Sequence, residues 1–196
     1  MLTLYHAPTA VCAAKVRVVL AEKNLPFHGH LIHLDRGDQF TPEYMKLNPN
    51  AVVPTLVHEG NVLYESTVIN EYLDEAFPEV PLRPSNAMGR AHVHLWTKKE
   101  DGIHDAINTM TATIIFRHDL LQKSPEERVA RYSKIPDPAR RQKWARMIDE
   151  GLASSIVAEA LVRLNRHFGD MEKALARGTW LTGDQFTLAD AGLMSF

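Results

Sequence analysis

The chain carries one thiol. Cys12 lies in LYHAPTAVCAAKVRVV, the stretch that begins at Leu4, where an apolar strand-like run ends and a helical pattern begins. A thiol in the first turn of a helix is stabilised as thiolate by the partial positive charge of the helix N-terminus, and Lys15 and Arg17 follow close by in sequence. The competing reading of Cys12 is a small apolar side chain packed into a core. Two further places suit the capture of a small molecule. In NPNAVVPTLVHEGNVLYES, Val53-Pro54 opens a strand, where proline is tolerated as a first residue or in a special turn. A cis bond there would leave the Val53 N–H and C=O available to an extended peptide, whereas a trans bond would make Pro54 an ordinary strand opener. Glu65-Ser66 then joins a strand to a helix. The Ser66 N–H and hydroxyl suit a carboxylate and Glu65 suits an ammonium, which together would hold an α-amino acid head group. The alternative is a Ser66 that caps the helix beside a solvated Glu65.

Metal chemistry is not expected. The chain has ten histidines, and alternation puts His28 and His30 on one strand face with His33 beyond, but two imidazoles lack a third ligand and Cys12 stands in no metal spacing. Lys and Arg total 22 against 24 Asp and Glu, a formal charge of -2, so no field is present that would draw nucleic acid or an anionic membrane. No apolar run reaches the roughly 18 residues of a membrane span, and no basic region followed by an apolar run opens the chain. A lone cysteine cannot close an intrachain disulfide, so a cytoplasmic location is expected.

Elements able to position these residues follow from periodicity. LTLY reads as a first strand, Cys12 to Lys23 as a one-faced helix through Val16, Val19 and Leu20, and FHGHLIHL as a second strand. TPEYMKLNPN holds a short helical piece; TLVH and VLYE, separated by EGN, read as a hairpin, and TVINEYLDEAF as a helix with Val68, Ile69, Tyr72 and Leu73 on one face. The order is βαβ, then ββα. PEVPLRPS, residues 78–85, carries three prolines and favours a stiff connection. Both long stretches beyond it, 87–121 and 137–178, have helical spacing. Asp137 and Pro138 start the second, with a break expected near Gly151 to Ser155. The expected division is therefore an α/β domain over 1–77, a linker over 78–85 and an all-α domain over 86–196.

This combination resembles the cytosolic glutathione transferases over essentially the whole chain. The residues that carry the resemblance are the strand-opening Val53-Pro54, Glu65-Ser66, the proline-rich linker and GDQFTLADAGL. In that last stretch Thr187 and Asp190 form a capping box, and Phe186 is placed to pack against Ala191 as a staple. The resemblance implies a thioredoxin-like glutathione-binding domain followed by a helical domain, with no metal and with a homodimer as the assembly. It implies that Val53 pairs with the cysteinyl part of glutathione, that Pro54 is cis, and that Glu65 and Ser66 hold the γ-glutamyl end. Where many members carry Gly-Lys before Val-Pro, this chain has Ala51-Val52, so the glycine carboxylate needs another partner; Asn50, Lys46 and Gln39 are the candidates. Members of the family also continue through further helices beyond the equivalent of Phe196, which reads as an early end.

Chemistry in this family rests on the glutathione thiolate, held by a donor near the end of the first strand or the start of the first helix. Cys12 matches by position the cysteine of the beta-like bacterial class, Thr9 is the hydroxyl that would replace the serine of Ser-type classes, and Tyr5 occupies the strand end used by tyrosine classes. Ile103, Ile107, Asn108, Met110 and Thr111 are candidates for the wall of a pocket for a small apolar electrophile, although helical core packing accounts for the apolar ones equally well. The implied reaction is addition of the thiolate to that electrophile. Thiol transfer or β-etherase-like reductive cleavage through Cys12 is the second enzymatic reading, and a non-catalytic binding module is the third.

Overall fold

The computed structural model describes residues 1–194; Ser195 and Phe196, where the helical domain was expected to end early, lie outside the described residues. By internal packing the chain forms two compact units, Met1–Glu100 with Glu172–Phe196, and Asp101–Met171.

The first unit opens with strand β1 (Leu2–His6), helix α1 (Val11–Glu22) and strand β2 (Phe27–Leu31). A 3-10 turn over Asp38–Phe40 and helix α2 (Pro42–Leu47) lead to strands β3 (Thr55–His58) and β4 (Asn61–Tyr64), and then to helix α3 (Ser66–Ala76). The sheet order is β2-β1-β3-β4, with β1 and β2 parallel and the other pairs antiparallel. This is the βαβ-ββα order expected. Alternation along β1 buries Leu2 and Leu4, and Leu4 pairs with the fully buried Leu56 of β3. Val16, Val19 and Leu20 of α1 are almost completely buried, the stripe their spacing foretold, whereas of the four α3 residues expected on one face only Ile69 and Leu73 are buried, Tyr72 is half-buried and Val68 is exposed.

Two local readings need correction. The hairpin is tighter than EGN suggested: Glu59 and Gly60 alone make the turn, with φ of 51° and 82°, and Asn61 already pairs with His58. Two positive-φ residues give the turn whose twist matches the flanking strands. Ser66 is also not the N-cap of α3. It is the first helical residue, and Glu65, at φ 71°, holds the cap position.

Residues 77–86 form neither helix nor strand, yet they are tied down. The Asp74 carboxylate accepts from Lys23 Nζ at 3.0 Å, from the Leu82 N–H at 2.6 Å and from Arg83 Nε at 2.8 Å, while Lys23 also donates to the Val80 carbonyl at 2.5 Å. Leu82 in turn accepts from the N–H of Leu188, the first residue of helix α9 (Leu188–Leu193). Asp190 closes the start of α9 by accepting from the Thr187 N–H and hydroxyl at 2.9 and 3.0 Å, and it also receives the Leu181 N–H at 2.9 Å. Phe186 meets Trp180 edge-on at 5.1 Å.

Helix α4 (Ala87–Thr111) starts in the first unit and enters the second after Glu100. A π-helical turn over Ala112–Phe116 follows, then α5 (Arg117–Leu121), α6 (Pro125–Ser133), α7 (Pro138–Glu150) and α8 (Ser155–Leu175). Asp137 caps α7 by accepting from the Ala139 and Arg140 N–H groups, and the expected break falls at Gly151–Ala153, a 3-10 turn. Gly151 has φ 62°, and a Cβ there would stand 2.8 Å from Arg117 Nε, which donates to the Ile148 carbonyl. Leu120, Tyr132 and Ile148 form a small core against which Phe116 and Trp144 pack as a stacked pair. No helix among the described residues is long and apolar enough to cross a membrane.

Burial pushes the Asp74 carboxyl up, but the Leu82, Arg83 and Lys23 hydrogen bonds outweigh it and hold the group below the usual carboxylate range. A lowered carboxyl stabilises the fold above its unfolded pKa and ceases to do so as pH falls through its folded value. Asp74→Ala therefore leaves the buried Lys23 ammonium unpaired and should cost about 3–5 kcal/mol in urea unfolding at neutral pH, a deficit that narrows toward strongly acidic pH.

Candidate active site

The Val53-Pro54 peptide bond is cis. The residues that hold the loop before it come from α2 and β3. Tyr44 donates its hydroxyl to the Val52 carbonyl at 2.5 Å, and Asn48 Nδ2 donates to the same oxygen at 3.0 Å. Both also meet the Thr55 hydroxyl, at 2.9 and 3.2 Å, and Asn48 Oδ1 accepts the Asn50 N–H at 3.1 Å. Tyr44, Asn48 and Thr55 are buried. Burial pushes the Tyr44 phenol up to about 12, partly offset by its bonds to Thr55 and Asn48, so it remains a donor at any ordinary pH. Beyond this braced carbonyl, neither the N–H nor the C=O of Val53 is hydrogen-bonded among the described residues, although the residue is only 8% exposed. A buried backbone pair with no internal partner is a place where another extended chain can bond.

Glu65 and Asn50 meet beside this loop. Asn50 Nδ2 donates to Glu65 Oε1 at 3.4 Å, and the Glu65 carboxylate is otherwise exposed. Ser66 is buried in the first turn of α3, where N–H groups lack helical acceptors and suit an anion. A non-glycine residue at positive φ costs of order 1 kcal/mol or more, and such strain gathers at ligand clamps; Glu65 and Ala51, at φ 71° and 52°, lie on the two segments that meet here. Gln39 is buried in its 3-10 turn with its amide oxygen unpaired among the described residues, while Lys46 is exposed on α2.

The β1–α1 turn lies at the C-terminal end of β1, next to the start of β3, because Tyr5 pairs with Thr55. The Tyr5 ring is engaged with His30 at 4.6 Å and Tyr44 at 6.0 Å. Thr9 is exposed in the turn, and Cys12 is half-buried as the second residue of α1. The N-cap is Ala10, which offers no side-chain oxygen. The turn is held from α1 itself: Arg17 donates to the Ala7 carbonyl at 3.2 Å and to the Pro8 carbonyl at 3.0 Å, and lies 3.4 Å from His6 Nδ1. Burial, and then the Arg17 charge, pushes His6 down, so Nδ1 is an acceptor for the guanidinium. Neither Arg17 as a brace nor the Tyr44–Asn48–Thr55 network stood out in the sequence; asparagine before proline, in Asn48-Pro49, was the one available hint of a specific turn.

In the second unit, Ile103, Ile107, Met110 and Thr111 share a face of α4 by their spacing, and Asn108 is offset from it. Ile103 is buried and the other four are half-buried. The exposed Ile114 and Ile115 of the π-helical turn add apolar surface that the sequence reading passed over. Among the described residues, no three His, Cys, Asp or Glu side chains are grouped to hold a metal ion.

Comparison with known proteins accords with this geometry. The family model for the glutathione S-transferase N-terminal domain matches residues 11–76, and that for the C-terminal domain matches residues 154–196. Protein LigF of Sphingobium sp. strain SYK-6 is 30% identical over 193 residues, covering 96% of this chain and 75% of LigF. Glutathione S-transferase D7 of Drosophila melanogaster is 28% identical over 197 residues, covering 99% of this chain and 72% of its own. The crystal structure of the β-etherase LigF superposes with a TM-score of 0.91 at 28% identity, over 99% of this chain and 81% of that one. A glutathione transferase from Burkholderia graminis, solved with two glutathione molecules per subunit, gives 0.72 at 25% identity, over 99% of this chain and 70% of that one. The chain belongs to the glutathione S-transferase family and is a glutathione transferase enzyme with a thioredoxin-like unit and a helical C-terminal domain.

A raised phenol stabilises the fold below its unfolded pKa and ceases to do so as pH rises through its folded value. For Tyr44 that window runs from 10.0 to about 12. Tyr44→Phe should cost about 1–3 kcal/mol at neutral pH, because the Val52 carbonyl and Thr55 hydroxyl lose a partner. Denaturant midpoints recorded at rising pH should show an alkaline loss of stability across that window in the wild type, absent from the variant.

Proposed function

We propose that residues 1–77 bind glutathione, that 78–85 connect them to a helical domain over 86–196, and that the bound thiolate adds to a small apolar electrophile. The observation that carries this reading is the Val53 backbone, buried and unpaired after a braced carbonyl and followed by a cis proline. In it the Val53 N–H and C=O pair with the cysteinyl residue of the tripeptide. The Ser66 N–H and hydroxyl take the γ-glutamyl carboxylate, and Glu65, oriented by Asn50, takes the ammonium. Gln39 is favoured over the exposed Lys46 for the glycine end, because its buried amide has a polar atom without a partner. This arrangement sets the sulfur near the β1–α1 turn. Cys12, in the positive first turn of α1, is our first choice of sulfur-facing residue, with Thr9 next; Tyr5 is third, since its ring is engaged with His30 and Tyr44.

The reaction then needs an ionised thiol and proximity. The glutathione thiol loses its proton to solvent, the thiolate attacks the electrophilic carbon, and a C–S bond forms as the leaving group departs. The electrophile would rest against Ile103, Ile107, Asn108, Met110 and Thr111. A homodimer in the cytoplasm completes the proposal. The likeness to LigF favours ether cleavage as the second reading: the thiolate displaces an ether oxygen, so that C–S forms, C–O breaks and the alkoxide or phenoxide takes up a proton.

Glutathione binding and conjugation of an aryl halide, measured for the wild type and for Cys12→Ser, Thr9→Ala and Tyr5→Phe, separate these readings. The wild type should bind glutathione and turn over, and Cys12→Ser should lower kcat/KM about tenfold, or 1.4 kcal/mol, with glutathione affinity nearly unchanged. Loss of conjugation in Thr9→Ala alone would transfer the role to Thr9. Turnover of a β-aryl ether model compound in preference to the halide would favour ether cleavage, and a wild type that neither binds glutathione nor turns over would overturn both.

A further inference from the structure

Three cations of or next to α1 differ in what neutralises them, and two of them, Lys15 and Lys23, are buried. Lys15 lies 3.8 Å from Glu100, with both side chains almost wholly buried, and Lys23 is bonded to Asp74 at 3.0 Å. Arg17 has no carboxylate partner among the described residues. Its guanidinium is bound only by uncharged acceptors, the Ala7 and Pro8 carbonyls and the His6 imidazole, at 3.2, 3.0 and 3.4 Å. Burial disfavours its charged form, yet an arginine in a protein keeps its proton. A half-buried cation bonded only to neutral groups has its field reduced by solvent but not cancelled by a carboxylate, and the remainder adds to the positive end of α1 beside the turn that carries Thr9 and leads into Cys12.

We propose that Arg17 is a positioning residue with an electrostatic function: it fixes the β1–α1 turn and supplies the uncompensated positive charge that favours the thiolate of bound glutathione. This rests on the glutathione-binding reading above and adds to it a residue that acts through the turn without touching the tripeptide. The two roles separate by substitution. Arg17→Gln keeps a side-chain donor for a carbonyl and removes the charge; Arg17→Lys keeps the charge and loses the planar fork that spans two carbonyls.

The experiment titrates the ultraviolet thiolate band of glutathione bound to the wild type and to both variants, with kcat and KM for an aryl halide followed across pH and folding checked by thermal melting. In Arg17→Gln the band should emerge about one pH unit higher than in the wild type. The kcat at neutral pH should then fall about tenfold and recover at alkaline pH, while KM for glutathione stays within about twofold. Arg17→Lys should return the titration most of the way to wild type. A wild-type titration in a folded Arg17→Gln overturns the proposal, and so does an Arg17→Lys that titrates like Arg17→Gln, which would make the role one of shape. An Arg17→Gln that loses glutathione affinity in step with thermal stability overturns it as well. A wild type that shows no glutathione binding is a different result, since it overturns the binding reading itself.

Discussion

The Val52 carbonyl oxygen is the point on which the candidate site depends. It receives two hydrogen bonds, from the Tyr44 hydroxyl and from Asn48 Nδ2, both buried side chains. A carbonyl held from two directions cannot rotate, so the peptide that follows must leave in one direction. It leaves through the cis Val53-Pro54 bond, and β3 starts at Thr55, whose hydroxyl closes the same network. The unpaired Val53 backbone is thus an outcome of polar groups buried one layer below. Because Thr55 also pairs with Tyr5, the network fixes where the end of β1 stands relative to the loop, and with it the turn that leads into α1.

The two positive-φ residues beside the Val53 loop, Ala51 and Glu65, show where that constraint is absorbed. Ala51 and Glu65 both adopt a backbone conformation that a side chain disfavours, at about 1–2 kcal/mol each. Glycine at position 51, as many family members have, would relieve the cost. Here the Asn48 side chain, by accepting the Asn50 N–H, and the tight Asn48-Pro49-Asn50 turn keep Ala51 in place regardless. Helix α1 is fixed by an analogous use of buried polarity. Lys23 ties its C-terminal end to Asp74, and Lys15 faces Glu100 across from Gly192, where a Cβ would come within 1.7 Å of Glu100 Oε2. A helix held by buried ion pairs on either side of Arg17 gives that guanidinium a defined place to stand.

The features legible in the sequence were those written in local patterns. Alternation in LTLY and the Val16, Val19, Leu20 stripe set out β1 and α1; Asp137-Pro138 marked the start of α7, and Thr187 with Asp190 the start of α9. Val53-Pro54 and Glu65-Ser66 stood out because proline and a strand-to-helix junction restrict the backbone. Helix α6 was passed over because its signal is the Ser124–Glu127 capping box, while its sequence PEERVARYS is too polar for an apolar stripe to show. Serine in residue type points to a cap at Ser66, but the positive φ of Glu65 shifts the helix start by one residue, and nothing in residue type announces such a shift. Arg17 and the Tyr44–Asn48–Thr55 network were out of reach for a different reason. They join residues 4 to 11 apart through side chains whose targets are mostly carbonyls, and carbonyl acceptors are the same at every residue.

The conjugation and ether-cleavage readings ask the same thing of the first unit, namely a tripeptide held along Val53 and a sulfur kept ionised. Neither asks more of the nucleophile, since the same thiolate attacks carbon in both. They part at the leaving group. A halide departs without help, whereas an alkoxide or phenoxide must be protonated or solvated as the C–O bond breaks, so ether cleavage needs a donor on the far side of the reacting carbon. Of the candidate wall residues on α4, Ile103, Ile107 and Met110 cannot supply one, and Asn108 and Thr111 can. In the proposed reaction, therefore, the residues that would hold the thiolate do not distinguish the two readings, and the demand of the leaving group does.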